Sequence, residues 1–328
     1  LDGVVKQAVA KAWEKVTEIA REDELPGPPV VPVLVGGDDV TVYTDGRYAI
    51  PFAEAYIRHY EEITKDDDLL SVLAIVAGGK KADAPERDRF EIDDYIIQNP
   101  GPLTASAGVA IVGRNFPFHI AYDLAEELVS RGKKLGKKPG TVPCSTIDFH
   151  VLRDTTVLDP DDTLDEYKGR AQRPFLIGHY AQDRIMAEAD TSPKDWWGQI
   201  LRTVAAFDGK KPDDPTQTTG DPFPRARANR IVKLLAEGKE DQAATEWGDA
   251  LQNAPSAGLL ARQLKLLSPH SSSSDEAGES LEQIKWLLDL IDLSENLPEG
   301  YLASRIGGKG ADDGSQATAD DPTDGGAE

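Results

Sequence analysis

The stretch Val30-Val-Pro-Val-Leu-Val-Gly-Gly-Asp-Asp-Val-Thr-Val-Tyr43 decides the fold. Two β-branched runs flank a turn of glycine and aspartate, which is the pattern of a β-hairpin. Pro32 has no amide donor, so the start of the first strand is expected at a sheet edge or a bulge. Upstream, Val5, Val9, Ala12, Val16 and Ile19 recur every three or four residues. That spacing predicts an amphipathic helix over residues 4–21, with Trp13 at the border of its apolar face. The segment Glu24-Leu-Pro-Gly-Pro-Pro29 ends it. Downstream, Pro51 is read as a first helical position ahead of Phe52, Tyr56, Tyr60 and Ile63.

Residues 69–77 form a short apolar run that periodicity assigns to neither helix nor strand. Residues 78–102 are polar and read as an insertion. Leu103-Thr-Ala-Ser-Ala-Gly-Val-Ala-Ile-Val112 has the look of a buried strand whose small residues admit a close neighbour. Pro117 opens a helix with Ile120, Leu124 and Leu128 on one face. Gly132-Lys-Lys-Leu-Gly-Lys-Lys-Pro-Gly140 reads as a basic loop, and Ile147, Phe149 and Val151 alternate as a final strand. The order is α-β-β-α-(insertion)-β-α-β. It predicts an α+β fold: a ferredoxin-like palm over residues 1–154 that lacks its first strand.

An α-helical domain is expected over residues 155–306. Its helices fall at 196–207, 225–237, 241–252 and 280–293, with loops at 208–224 and 268–279. Residues 307–328 hold glycine, alanine, aspartate and threonine with no large hydrophobe, and are expected to form a disordered acidic tail.

Gly36-Gly37-Asp38-Asp39 carries the chemistry. Transfer of a nucleotidyl group asks the protein mainly to hold a divalent cation and aim a triphosphate. Magnesium takes one or two carboxylates plus phosphate oxygens, and adjacent aspartates on a turn supply them. Asp38 and Asp39 are therefore the candidate catalytic and metal-binding residues, with Mg²⁺ or Mn²⁺ as the ion and ATP as substrate. Gly36 and Gly37 leave room for a nucleotide against the backbone. The tetrapeptide alone is more often an ordinary turn; the order of the elements around it gives it weight. Lys133 and Lys134, with Lys137 and Lys138 behind them, are either phosphate ligands or a solvated basic loop. Ser106 and Gly108 either line the nucleotide or pack the core.

Several pieces together resemble a known family, the large palm-containing subunit of type III CRISPR–Cas effector complexes. They are Val33-Leu-Val-Gly-Gly-Asp-Asp-Val40, Leu103-Thr-Ala-Ser-Ala-Gly-Val-Ala-Ile-Val112, Phe116-Pro-Phe-His-Ile-Ala-Tyr-Asp-Leu-Ala-Glu-Glu-Leu128 and Phe149-His-Val-Leu152. The resemblance covers the first half well and the helical second half loosely. It implies a palm that makes cyclic oligoadenylate from ATP in antiviral defence, with guide and target RNA and other effector subunits as partners. It also implies a further metal carboxylate on a first palm strand, which this sequence does not contain. The alternative is a non-catalytic palm that serves as a structural or nucleotide-sensing subunit. Diguanylate cyclases share the palm, but Asp39-Val40 does not match their Gly-Gly-Asp/Glu-Glu-Phe.

The bulk numbers set limits. The 328 residues suffice for two modest cores, and 39% hydrophobic content is that of a globular chain. No apolar run approaches the roughly 20 residues that span a bilayer, so no membrane partner is expected. A net charge of −22 argues against a free-standing, non-specific nucleic-acid binder. The single cysteine, Cys144, forms no intramolecular disulfide and no cysteine-based zinc cluster, and cytoplasmic localisation is expected. The five histidines are scattered, and His119 and His150 are expected to be structural. Arg225, Arg227, Arg230 and Lys233 give one helix a basic face, either RNA-facing or simply solvated. Trp196, Trp197, Trp247 and Trp286 are expected to anchor the helical core. The chain starts at Leu1 and its only methionine is Met186, which is the expectation for a fragment of a longer protein or for a start at an unusual codon.

Overall fold

The computed structural model describes residues 1–67, 89–92, 95–98, 102–139, 141, 143–153, 164, 170–181, 195–253, 255–267 and 276–307. The apolar run 69–77, the proposed boundary at residue 154, most of the serine-rich loop and the acidic tail beyond Gly307 lie outside the described residues. The chain is a mixed α+β protein in which small sheets are clasped by helices.

The first helix, α1 (Asp2–Glu22), buries Val5, Val9, Ala12, Val16 and Ile19 along one stripe, as their spacing requires. Strands β1 (Val30–Gly36) and β2 (Asp39–Thr44) follow as an antiparallel hairpin in which Gly36 pairs with Asp39. The register shifts between Pro32 and Leu34, so the proline sits at a bulge, as its missing donor dictates. Helix α2 (Gly46–Asp66) starts earlier than Pro51. Asp45 sets the start, because its side chain accepts the Arg47 amide as an N-cap. Pro51 then falls inside the helix. Helices α1 and α2 pack together, and α1 also lies against β1.

Within residues 78–102 a hairpin forms from β3 (Arg89–Ile92) and β4 (Tyr95–Gln98). Strand β5 (Ser106–Ile111) then runs parallel to β6 (Ser145–Val151) through the crossover helix α3 (Phe118–Gly136). Helix α3 continues through Gly132 to Gly136, so Lys133 and Lys134 lie on a helix and not in a loop. Packing overrides glycine's poor helix propensity here. A side chain at Gly132 would meet Thr146 Oγ1, and one at Gly136 the Cys144 carbonyl. Only glycine lets this end of α3 lie flat on β6.

Strand β7 (Phe175–Ile177) adds antiparallel to the start of β6. It carries too few residues to announce itself by alternation. In the second half, α4 (Trp196–Phe207), α5 (Arg225–Ala236) and α6 (Glu240–Asn253) fall where the apolar spacing puts them. Residues 208–224 include a small hairpin, β8 (Lys210–Lys211) and β9 (Asp214–Thr218), where a loop was expected. Helix α7 (Pro255–Leu267) was not expected. The helix expected at 280–293 is two, α8 (Glu276–Ile284) and α9 (Leu287–Asn296). The break releases Trp286, which stacks on Phe175 with centroids 5.6 Å apart and also meets Trp196 edge-on. Helix α10 (Glu299–Ile306) ends the described chain.

One contiguous cluster of buried hydrophobics runs from Val9 on α1 through Phe149 and Trp197 to Leu302 on α10. Polar ties also link early elements to late ones. Arg173, beside β7, lies 2.8 Å from Asp292 and 3.3 Å from Asp289 of α9, and Arg305 of α10 lies 3.0 Å from Glu54 of α2. Among the described residues no helix is long and apolar enough to cross a membrane.

Candidate functional site

The hairpin turn consists of Gly37 and Asp38 alone, because Gly36 and Asp39 are already paired. Gly37 has φ +61°, the left-handed conformation that a two-residue hairpin needs at its first central position. Nothing lies within 4 Å of where a side chain at Gly36 or Gly37 would point, so the turn is open to solvent. Asp38 and Asp39 are both exposed. Two adjacent carboxylates therefore stand at an exposed tip whose stem is held by its inner face, where Val35 and Val40 pack against Val5, Ala8 and Tyr60.

Neighbouring elements frame the tip. From α1, the Asp2 carboxylate lies near the Gly37 amide. From α2, Tyr56 and Tyr60 stack at 5.9 Å; burial raises both phenols above their ordinary range, and the Asp38 charge adds to the effect. From α3, Tyr122 bonds to Glu126, which raises its phenol, and it also feels Asp39. Tyr43, Phe118 and Tyr122 continue as a row of exposed rings with successive centroids 6.3 and 6.2 Å apart. The outer face of the hairpin also exposes Val31, Val33 and Leu34.

The other candidates lie further off. Ser106 accepts a hydrogen bond from Thr146 Oγ1 at 2.9 Å. A side chain at Gly108 would fall against the Ala125 carbonyl and the Val129 amide of α3. The small residues of β5 thus serve close approach of α3. Lys133 and Lys134 are exposed, and Lys134 stands 3.9 Å from Glu127. From Tyr122 to Lys133 is eleven residues of helix, about 16 Å at the usual rise. The lysines therefore do not touch the aspartates, but stand beyond the tip along α3.

Two other aspartates are committed elsewhere. Asp45 caps α2. Asp148 is fully buried on β6, 3.4 Å from Arg131, and burial pushes its carboxyl up to about 6. His150 is buried beside it, and burial lowers its imidazole to about 4, which keeps it neutral. Among the described residues no group of three or more histidine, cysteine, aspartate or glutamate side chains is arranged to hold a metal. The basic face of α5 is largely paired: Arg225 with Asp208, Arg227 and Arg230 with Glu246, and Lys233 with Glu237.

The sequence reading missed a cavity of about 360 Å³ between α2, β7, α4 and α10. Its walls include Arg58, Glu61, Lys65, Trp196 and Arg305. Glu61 is buried, accepts Ser145 Oγ and the His179 amide, and is pushed up to about 7 by burial. In the sequence, Glu54, Arg58, Glu61 and Glu62 look like ordinary i, i+3 and i, i+4 charge pairs on a helix surface, which hides the site. No protein-family model matches the chain, and no curated protein matches it. Fold and site together define a mixed α+β protein with an exposed acidic hairpin.

Proposed function

We propose that this chain is a palm-type nucleotidyltransferase that makes cyclic oligoadenylate or a cyclic nucleotide from ATP, in CRISPR-type antiviral defence. The observation that carries the reading is the tip itself: Asp38 and Asp39, adjacent, exposed and fixed by a two-residue turn. Such a pair fits one Mg²⁺ or Mn²⁺ with the remaining positions on phosphate and water. A bound ion would polarise the triphosphate and neutralise charge that develops on it. The chain's own groups would supply the rest. Gly36 and Gly37 keep the approach open, and Lys133 and Lys134 await phosphate oxygens beyond the tip, at a separation that a whole nucleotide must bridge.

The sheets support a palm that needs one more strand. Strand β2 is paired only with β1, and β5 only with β6, among the described residues. Gly46, just after β2, lies against the Ile111 side chain at the end of β5, so the two strands finish on the same side. An extended segment between them, antiparallel to both, would join the sheets and bring a further carboxylate to the tip. The second reading, a nucleotide-sensing palm without catalysis, is favoured by the absence of a third carboxylate in ligand geometry among the described residues.

The test is incubation with labelled ATP and Mn²⁺ followed by chromatography. The chain alone is expected to bind ATP in a metal-dependent way and to turn over weakly. Adding the completing strand, or the RNA-bound effector complex, is expected to switch on adenylate oligomers. Removing one such charge-stabilising contact commonly costs roughly 10²–10³ in rate. ATP binding of equal affinity with and without metal would refute the nucleotidyltransferase reading. Metal-dependent binding with no product under any addition would favour the sensor.

A further inference from the structure

Arg58 is partly buried and makes no ion pair among the described residues. Arg131, Arg153, Arg173, Arg225, Arg227 and Arg305 each sit within 4 Å of a carboxylate. Arg58 has carboxylates one turn away on both sides of its own helix, yet all three are engaged elsewhere. Glu54 binds Arg305 at 3.0 Å. Glu61 holds Ser145 Oγ and the His179 amide. Glu62 holds His59 at 2.9 Å. Arg58 Nε is consequently buried with no hydrogen-bond partner, a condition that costs free energy unless something else supplies the acceptor.

What it faces is the cavity of about 360 Å³, a volume within the range of small-molecule sites. Lys65, two turns along α2, lines the same space and makes no ion pair among the described residues. Two cations with no ion pair among the described residues thus line the same space. On the other side stands Trp196, half-buried, its indole held edge-on by Trp286. Glu54, Glu61, Glu62 and Asp195 also line the cavity; Glu54 and Asp195 share the single charge of Arg305, Glu61 is held by Ser145 Oγ and the His179 amide, and Glu62 is turned to His59.

We infer that this cavity is a second ligand site, distinct from the hairpin, for a small phosphorylated molecule with a flat ring, the size of a nucleoside monophosphate. Arg58 and Lys65 take the phosphate and Trp196 packs against the ring. Guanidinium and ammonium donors match phosphate oxygens, and an indole face adds stacking without demanding one base. The site needs no metal and is independent of the proposal for Asp38 and Asp39.

Calorimetry with AMP, adenosine and inorganic phosphate tests it, all in excess EDTA so that a metal-dependent hairpin site is silent. AMP is expected to bind more tightly than either half alone, and equally well to a variant carrying Asp38→Asn and Asp39→Asn. Arg58→Gln and Lys65→Gln are each expected to weaken AMP at least tenfold. Lys65 is exposed, so its variant keeps the test open if Arg58→Gln fails to fold. The inference is overturned if AMP does not bind in EDTA, if adenosine binds as tightly as AMP, or if Lys65→Gln and any folded Arg58→Gln bind AMP as the parent does.

Discussion

Glycine and aspartate recur in two of the sheets, on an exposed turn in β1–β2 and inside the core in β5–β6. Gly37 is there for its φ of +61°, with open space where a side chain would be. Gly108 has ordinary backbone freedom to spare and is there because α3 presses against it. Asp38 and Asp39 face solvent, whereas Asp148 is buried among Arg131 and Arg173 with its carboxyl raised to about 6. The same two residue types therefore do opposite work. In one sheet they leave charge open to solvent; in the other they let elements touch and tie them together.

The largest effect should come from the buried tie. Arg173 is 5% exposed, lies over the Phe149 ring at 4.4 Å and stands 3.3 Å from Asp289 and 2.8 Å from Asp292. Arg173→Ala strands those carboxylates in the core, and breaking such a cluster costs about 3–5 kcal/mol. Urea unfolding is expected to show that loss; a change under about 1 kcal/mol would mean that the cluster is not closed as described. Gly108→Ala should come next, at about 1–3 kcal/mol, because the backbone of α3 cannot rotate away as a side chain does. If it proves neutral, α3 does not pack flat on β5.

A smaller effect should appear as pH dependence at Glu61, which clamps α2 to Ser145 of β6 and to the turn after β7. Its carboxyl is raised by burial from 4.5 to about 7, so the folded state holds a proton that the unfolded state has released. The stability from this group is full below the unfolded value and is lost as pH rises through about 7. Melting temperature should therefore rise from pH 8 to pH 5. A tenfold difference in proton affinity is worth about 1.4 kcal/mol, and at least that is expected. Glu61→Gln should flatten the difference; an unchanged slope would assign it to other groups.

How much of this was legible depends on how local each cause is. The hairpin, α1 and α3 announce themselves because turn chemistry and apolar spacing are properties of neighbouring residues. The place of Asp38 and Asp39 at an exposed hairpin turn was legible for the same reason. Strand β7 was not, because Phe175 earns its place by stacking on Trp286, over a hundred residues away. Nor was the end of α3, where Gly132 and Gly136 looked like a loop until β6 was packed against them. The cavity at Arg58 was hidden because its meaning lies in which partners its carboxylate neighbours take. Gly37→Ala bears on this contrast. With no clash to cause, it should cost only the strain of the left-handed backbone, about 1 kcal/mol, seen as a modest fall in the urea midpoint. A loss as large as that of Gly108→Ala would mean that the two glycines are not different in kind.

The last and smallest stability effect is the most informative about function. Asp38→Asn with Asp39→Asn removes two like charges from an exposed tip and no buried contact. Surface changes of this kind usually move stability by less than about 0.5 kcal/mol. If anything the double variant should be slightly more stable, since adjacent carboxylates repel and asparagine keeps the shape of the turn. Its metal-dependent ATP affinity should nevertheless fall at least tenfold, because neutral amides are poor ligands for a hard divalent cation. The two measurements, thermal melting and calorimetry with ATP in the presence and absence of Mn²⁺, are to be made on the same preparation. Loss of binding at full stability is the signature of residues kept for chemistry. Loss of stability with binding intact would reverse the contrast between the sheets and make this acidic turn a structural one.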